Sequence, residues 1–153
     1  MTAKPMPEGK PALSPYLVVQ DAARAIDFYT RALGAKELFR LEEPSGKVGH
    51  AELEVRGCVF MLADEYPDFG ALSPSSVGGT PVSLHLYVDD VDAVVARATE
   101  VGAVVLRPLQ DQFHGDRTAM IADPFGHKWH LATKKEDVSP EEMQRRMNAA
   151  YAG

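Results

Sequence analysis

The stretch Ile121-Ala-Asp-Pro-Phe-Gly-His-Lys-Trp-His-Leu131 decides how the rest of the chain is read. An apolar run ends at Ala122. Asp123-Pro124-Phe125-Gly126 then turns the chain, because Pro fixes φ where the turn needs it and Gly supplies a positive-φ position. His127 to Thr133 alternates in character, so the whole is read as a β-hairpin with a four-residue loop. Strand alternation puts Trp129 and Leu131 on one face and Lys128 and His130 on the other.

An earlier stretch, Ala51-Glu-Leu-Glu-Val-Arg-Gly-Cys-Val-Phe-Met-Leu62, has the same plan, with two alternating runs joined through Arg56-Gly57. Gly57 and Gly126 lie 69 positions apart. The same offset lays Leu17-Val-Val-Gln-Asp21 on Leu86-Tyr-Val-Asp-Asp90, and Ala25-Ile26 on Val94-Val95. One residue is dropped before Gly34-Ala35 meets Gly102-Ala103. The chain therefore reads as an internal duplication.

Each half predicts β-α-β-β-β. Residues 1–12, with three prolines, read as a flexible arm. Strands are expected over 13–19, 36–41, 48–55 and 58–62, and a helix from an Asp21 cap to a Gly34 stop. Ala22, Ala25, Ile26, Tyr29 and Leu33 step by three or four and form its core stripe. Residues 64–81 read as a linker loop without periodicity, from which Tyr66 and Phe69 could fold over a pocket. The second half predicts a strand over 82–88, taken as central to its unit, and a helix over 91–101. A strand over 104–107, a loop over 108–116 and the final hairpin complete it. Ser139-Pro140-Glu141-Glu142 is a capping box and opens a terminal helix over 138–151. The fold class expected is α+β. Two βαβββ repeats (13–63 and 82–133) form half-barrels in one mixed sheet system, with helices outside and a cleft inside.

Composition sets limits. The chain has 153 residues, 45% of them hydrophobic, and a formal net charge of −6. It carries no dense Lys/Arg run, so neither nucleic acid nor an anionic membrane is an expected partner. A single cysteine, Cys58, excludes an internal disulfide framework and suits a reducing cytoplasm, the location expected. Cys58 itself reads as an inert core residue. No run is apolar enough for a membrane span.

The two βαβββ units, the helix segment Ala25-Ile26-Asp27-Phe28-Tyr29 and the Asp123-Pro-Phe-Gly126 turn before a final strand resemble the vicinal-oxygen-chelate superfamily. That group includes glyoxalase I, extradiol dioxygenases and fosfomycin- and bleomycin-resistance proteins. Leu13-Ser-Pro-Tyr-Leu-Val-Val19, Gly49-His-Ala-Glu52 and Val138-Ser-Pro-Glu-Glu142 are similar to its PhnB-like branch. The resemblance covers about residues 13–133. In metal-using relatives each repeat contributes one ligand from its first strand and one from its last. Here those positions match Ser14, Met61, Ser83 and His130. Two hydroxyls, a thioether and one imidazole suit a hard divalent ion poorly, so no metal or other cofactor is expected. A displaced set, His50, Glu52, His85 and His130, would be chemically sufficient for Zn, Fe, Ni or Mn and stands as the alternative.

Strand parity rebuilds the inner face. If Ser83 points inward, so do His85 and Tyr87; if Ser14 does, so does Tyr16. Ala51, Leu53 and Val55 suit the helix-covered core, which leaves His50 and Glu52 for the cavity or for solvent. The candidate pocket is thus Tyr16, His50, Glu52, Met61, His85, Tyr87 and His130, with Phe113 and Arg117 from the loop Gln112-Phe-His-Gly-Asp-Arg117. Each has an alternative: His85 as a hydrogen-bonded core histidine, His130 as a cap on the barrel mouth, and Arg117 in a surface pair with Asp116. The function expected is small-molecule binding by a homodimer. The alternative is a lyase, isomerase or dioxygenase of the glyoxalase type.

Overall fold

A computed structural model describes residues 2–153, which fall into two units that divide between Gly79 and Thr80. The first unit runs β1 (Tyr16–Val19), α1 (Ala22–Leu33), β2 (Lys36–Glu42), β3 (Val48–Val55), β4 (Cys58–Asp64), then a 3-10 turn (Pro67–Phe69) and the short helix α2 (Pro74–Val77). The second runs β5 (Ser83–Tyr87), α3 (Val91–Glu100), β6 (Val104–Asp111), β7 (Asp116–Ala122), β8 (Lys128–Lys134) and α4 (Pro140–Ala152). Each unit holds one four-stranded mixed sheet, in the order β1-β4-β3-β2 and β5-β8-β7-β6. The class is α+β, and each unit is a βαβββ repeat with an open four-stranded sheet.

In the first unit the Asp21 carboxylate accepts from Arg24 N at 3.2 Å and caps α1, and Gly34 ends it at φ 70°. All five residues of the expected stripe are buried. They meet the covered face of the sheet, where Ala51, Leu53 and Val55 are 0%, 0% and 4% exposed. Tyr29 stands edge-on to Phe60, with centroids 5.5 Å apart. The β3–β4 hairpin turns through Arg56 at φ 49° and Gly57 at φ 82°, the double positive φ of a two-residue hairpin.

The second unit repeats this. Asp90 caps α3 through Ala93 N at 3.1 Å, and Val91, Val94, Val95 and Ala98 are buried. Trp129, Leu131 and Ile121 form the sheet's contribution to that core. The turn quoted at the outset is held by one buried side chain. Asp123 accepts from Phe125 N (2.9 Å), His127 N (3.0 Å) and Trp129 Nε1 (3.0 Å).

Several expectations are corrected. The strand over 82–88 is not central: β5 pairs with β8 alone and ends its sheet. The loop over 108–116 is shorter, because β6 continues through Pro108 to Asp111. Pro108 is tolerated there since β6 is an edge strand, and a register shift between Arg107 and Gln110 absorbs the missing donor. Residues 64–81 contain a helical turn and a short helix, and Asp64 belongs to β4. Phe69 is 86% exposed and covers nothing. Cys58 is exposed, not core, because it follows directly on the hairpin turn.

Candidate functional site

The open face of the first sheet carries the polar residues that parity assigned to it. β1 and β3 both pair with β4, and the register sets Tyr16, Met61 and Glu52 abreast across the three strands. His50 lies two residues along β3 from Glu52. Its Nδ1 is 2.8 Å from the Tyr16 hydroxyl and its Nε2 3.1 Å from Glu52 Oε2. Glu52 is 5% exposed, and Lys10 reaches its other oxygen at 2.5 Å from within the segment read as an arm. The Lys10 ammonium, then His50, hold the Glu52 carboxyl below the usual carboxylate range. Burial, then the Glu52 charge, push the Tyr16 phenol up.

On the second sheet β5 and β8 run parallel, with His85 directly opposite His130. Their ring centroids are 5.0 Å apart, and His85 to Tyr87 is 4.8 Å. Tyr87 donates to Asp116 Oδ2 at 2.7 Å, and Asp116 is 7% exposed. That bond and burial raise the Tyr87 phenol above its ordinary value. His85 is exposed and so is not a core histidine.

A cavity of about 410 Å³ opens over this face of β7 and β8, bounded by β6 and the β6–β7 loop. It is lined by Arg107, Pro108, Gln110, Gln112, Phe113, His114, Thr118, Ala119, Met120 and His130. Gln112 Nε2 donates to Thr118 Oγ1 at 3.0 Å and fixes the loop to the cavity floor. The loop's outer side is tied to the tail. Gly115 O accepts from Lys135 N (2.8 Å) and Glu136 N (3.0 Å), and Arg146 donates to Phe113 O at 2.9 Å. Gly115 has φ +102°, and a Cβ there would lie 2.4 Å from Glu136 O, so only glycine fits. Burial holds the His130 imidazole below the usual histidine value, with His85, Arg107 and His114 acting in the same direction and Asp116 opposing. Burial thus favours the neutral form of His130, and Arg107 brings the positive charge.

Of the expected residues, the structure sets Tyr16, His50, Glu52 and Met61 together on the first sheet, and His85, Tyr87 and His130 on the second. Phe113 joins His130 at the cavity. Arg117 does not. It alternates with Thr118 onto the other side of β7, where Asp92 (2.7 and 3.2 Å) and Asp111 (3.2 Å) hold it, not Asp116. Sequence reasoning missed Arg107, Thr118 and Met120 as lining, and Asp116 as the partner of Tyr87. The β7–β8 register that sets Met120 opposite His130 is what would have found Met120. A second, wider depression of about 520 Å³ includes Asp21, Lys47, Asp64 and Glu65. Two of its carboxylates, Asp21 and Asp64, are committed to backbone donors of α1.

With this geometry in view, residues 12–131 match the model of the glyoxalase/bleomycin resistance protein/dioxygenase superfamily. The chain belongs to this superfamily. An uncharacterized protein of Mycobacterium tuberculosis is 48% identical over 147 residues, covering 94% of this chain and 86% of its own. Among solved structures, TioX from Micromonospora sp. ML1 is 28% identical, with a TM-score of 0.62, covering 84% of this chain and all of that one. A PhnB protein from Bacillus cereus, at 20% identity and a TM-score of 0.64, covers 80% of this chain and 99% of its own and shares the fold.

Metal-using members of the superfamily hold a divalent ion at positions matched here by Ser14, Met61, Ser83 and His130. Those side chains do not fit such an ion, which takes carboxylate and imidazole donors. Ser14 also precedes β1, and the strand neighbours of Met61 and His130 are Tyr16 and His85. Among the described residues no three His, Cys, Asp or Glu side chains are placed to share a metal ion. Nor is any helix there long and apolar enough to cross a membrane.

Proposed function

We propose that this superfamily member binds a small organic molecule in the cavity of its second unit, without a tightly bound ion of the family type. The observation that carries the reading is the cavity's lining. Its volume of about 410 Å³ lies within the roughly 300–1,000 Å³ of small-ligand pockets. Phe113 and Met120 offer apolar contact, Arg107 a fixed positive charge, and His130 a neutral imidazole able to donate or accept. That set suits a compact, partly aromatic compound carrying a carboxylate or carbonyl oxygen. The test is a thermal-shift screen of small aromatic acids with chelator present. A compound that raises Tm in the chain but not in a His130→Ala variant supports the reading. Stabilisation only after addition of a metal contradicts it.

A second reading is enzymatic: a lyase, isomerase or dioxygenase reaction with Zn, Fe, Ni or Mn at displaced histidines. The adjacency of His85 and His130 favours it. Metal-dependent stabilisation lost on His85→Ala is its test. Under either reading the protein is proposed to be a cytoplasmic homodimer. Cys58 is its single cysteine, and the edge strands β2 and β6 carry exposed apolar residues that a second copy would cover.

A further inference from the structure

The proposed ligand cavity lies in the second unit and leaves the Tyr16–His50–Glu52 cluster of the first without a role. The three side chains are joined end to end. Lys10 takes one oxygen of the buried Glu52 at 2.5 Å, and the other faces His50 Nε2 at 3.1 Å. An ionised carboxylate only accepts, so Nε2 carries a proton, and in the neutral ring that is the single N–H. Nδ1 is then an acceptor, and the Tyr16 hydroxyl, 2.8 Å away, donates to it. Carboxylate, imidazole and hydroxyl in this order make a base-activated nucleophile. Tyr16 as a residue is 50% exposed and its bond to His50 lies at the exposed end of the chain, while Glu52 at the other end is 5% exposed. The arrangement is not a demand of the repeated fold: 69 positions on from Tyr16 the second unit has His85.

We propose that Tyr16 is a nucleophilic hydroxyl, activated by His50 and backed by Glu52, that attacks small electrophilic acyl compounds of the activated-ester class. The Tyr16 oxygen forms a bond to the acyl carbon as its proton passes to His50 Nδ1. The bond from that carbon to the leaving group breaks, and the leaving group departs with the proton from His50. Water, activated by the same imidazole, then cleaves the phenyl ester and returns free Tyr16 and the carboxylic acid. Burial and the Glu52 charge keep the resting phenol protonated, so the proton must leave as the new bond forms, which is the task His50 is placed to perform.

The test is labelling of the full chain with benzenesulfonyl fluoride, followed by peptide mass mapping. Its sulfonyl centre stands in for the acyl carbon, fluoride is the leaving group, and the aryl sulfonate adduct resists hydrolysis. Tyr151, 86% exposed, is the internal reference. Tyr16 is expected to label at least about tenfold faster than Tyr151. Both His50→Ala and His50→Gln, with Tm as a check on folding, are expected to bring Tyr16 down to the Tyr151 rate. Labelling of Tyr16 no faster than Tyr151, or an unchanged Tyr16 rate in the His50 variants, would overturn the proposal.

Discussion

Asp64 and Thr133, 69 positions apart in the sequence, each hold the first backbone N–H of the helix in their own unit. Asp64 Oδ1 accepts from Ala22 N at 2.8 Å, and Thr133 Oγ1 accepts from Val91 N at 2.8 Å. The duplication has thus kept a task while changing the group that performs it. Each side chain also serves a second partner: Asp64 takes Val48 N, and Thr133 donates to Val88 O, both at 2.8 Å. Thr133→Val keeps the shape but strands a buried donor and a buried acceptor. It is expected to destabilise by about 1–3 kcal/mol in urea unfolding. A change within experimental error would show the helix start to be satisfied by other means.

Asp123 gives a sharper case, because one carboxylate serves three donors in the turn before β8. Asp123→Ala removes these three bonds, including the one to the indole N–H of the buried Trp129. A loss of about 2–4 kcal/mol is expected. Trp129 is the only tryptophan, so its fluorescence reports the change directly. An unshifted emission maximum with an unchanged unfolding midpoint would contradict the role given to Asp123.

How far the sequence discloses the site depends on what each residue answers to. The first half of β8 alternates, so its period alone assigns Trp129 and Leu131 to the core and His130 to the open face. β6 has three apolar residues in a row, Val104, Val105 and Leu106, all exposed, followed by Pro108. No alternation marks such an edge strand, so its true length leaves no trace in the pattern. Arg107 is hidden for the same reason, and the cavity uses it in place of the expected Arg117. Lys10 reaches Glu52 across 42 positions, a contact with no local signature. Cys58 reads as core because its neighbours Val59 and Phe60 are, yet its place beside the turn exposes it.

The lowered His130 pKa has a consequence with a definite sign. Folding depresses the group below its unfolded value of about 6.5. The folded chain therefore binds fewer protons than the unfolded one below that pH. The stability linked to His130 is complete above about pH 6.5 and is lost as pH falls through the folded value. His130→Gln should lose less stability than the parent chain between pH 7 and 5. In an NMR titration the His130 ring should show a midpoint below about 6.5 that rises in Arg107→Ala. A midpoint at or above the ordinary value would contradict the electrostatics described for the cavity.

Exposed apolar residues on the edge strands predict self-association. Leu41 on β2 is 59% exposed and Val104 on β6 is 61% exposed. A charged substitution at one such position, Val104→Lys, should weaken a dimer while leaving the unit folded. Sedimentation equilibrium at micromolar concentration is expected to give twice the 16.7 kDa chain mass. A monomer under those conditions would contradict the proposed dimer.

The binding of a small organic molecule in the second unit is tested most directly by amide chemical-shift mapping with small aromatic carboxylates, benzoate and 1-naphthoate first. The expected result is a saturable set of shifts confined to Arg107, Gln112, Phe113, His114, Thr118, Met120 and His130, weakened at least about tenfold in Arg107→Ala. Shifts that gather elsewhere on the chain, or none from any carboxylate at millimolar concentration, would contradict it.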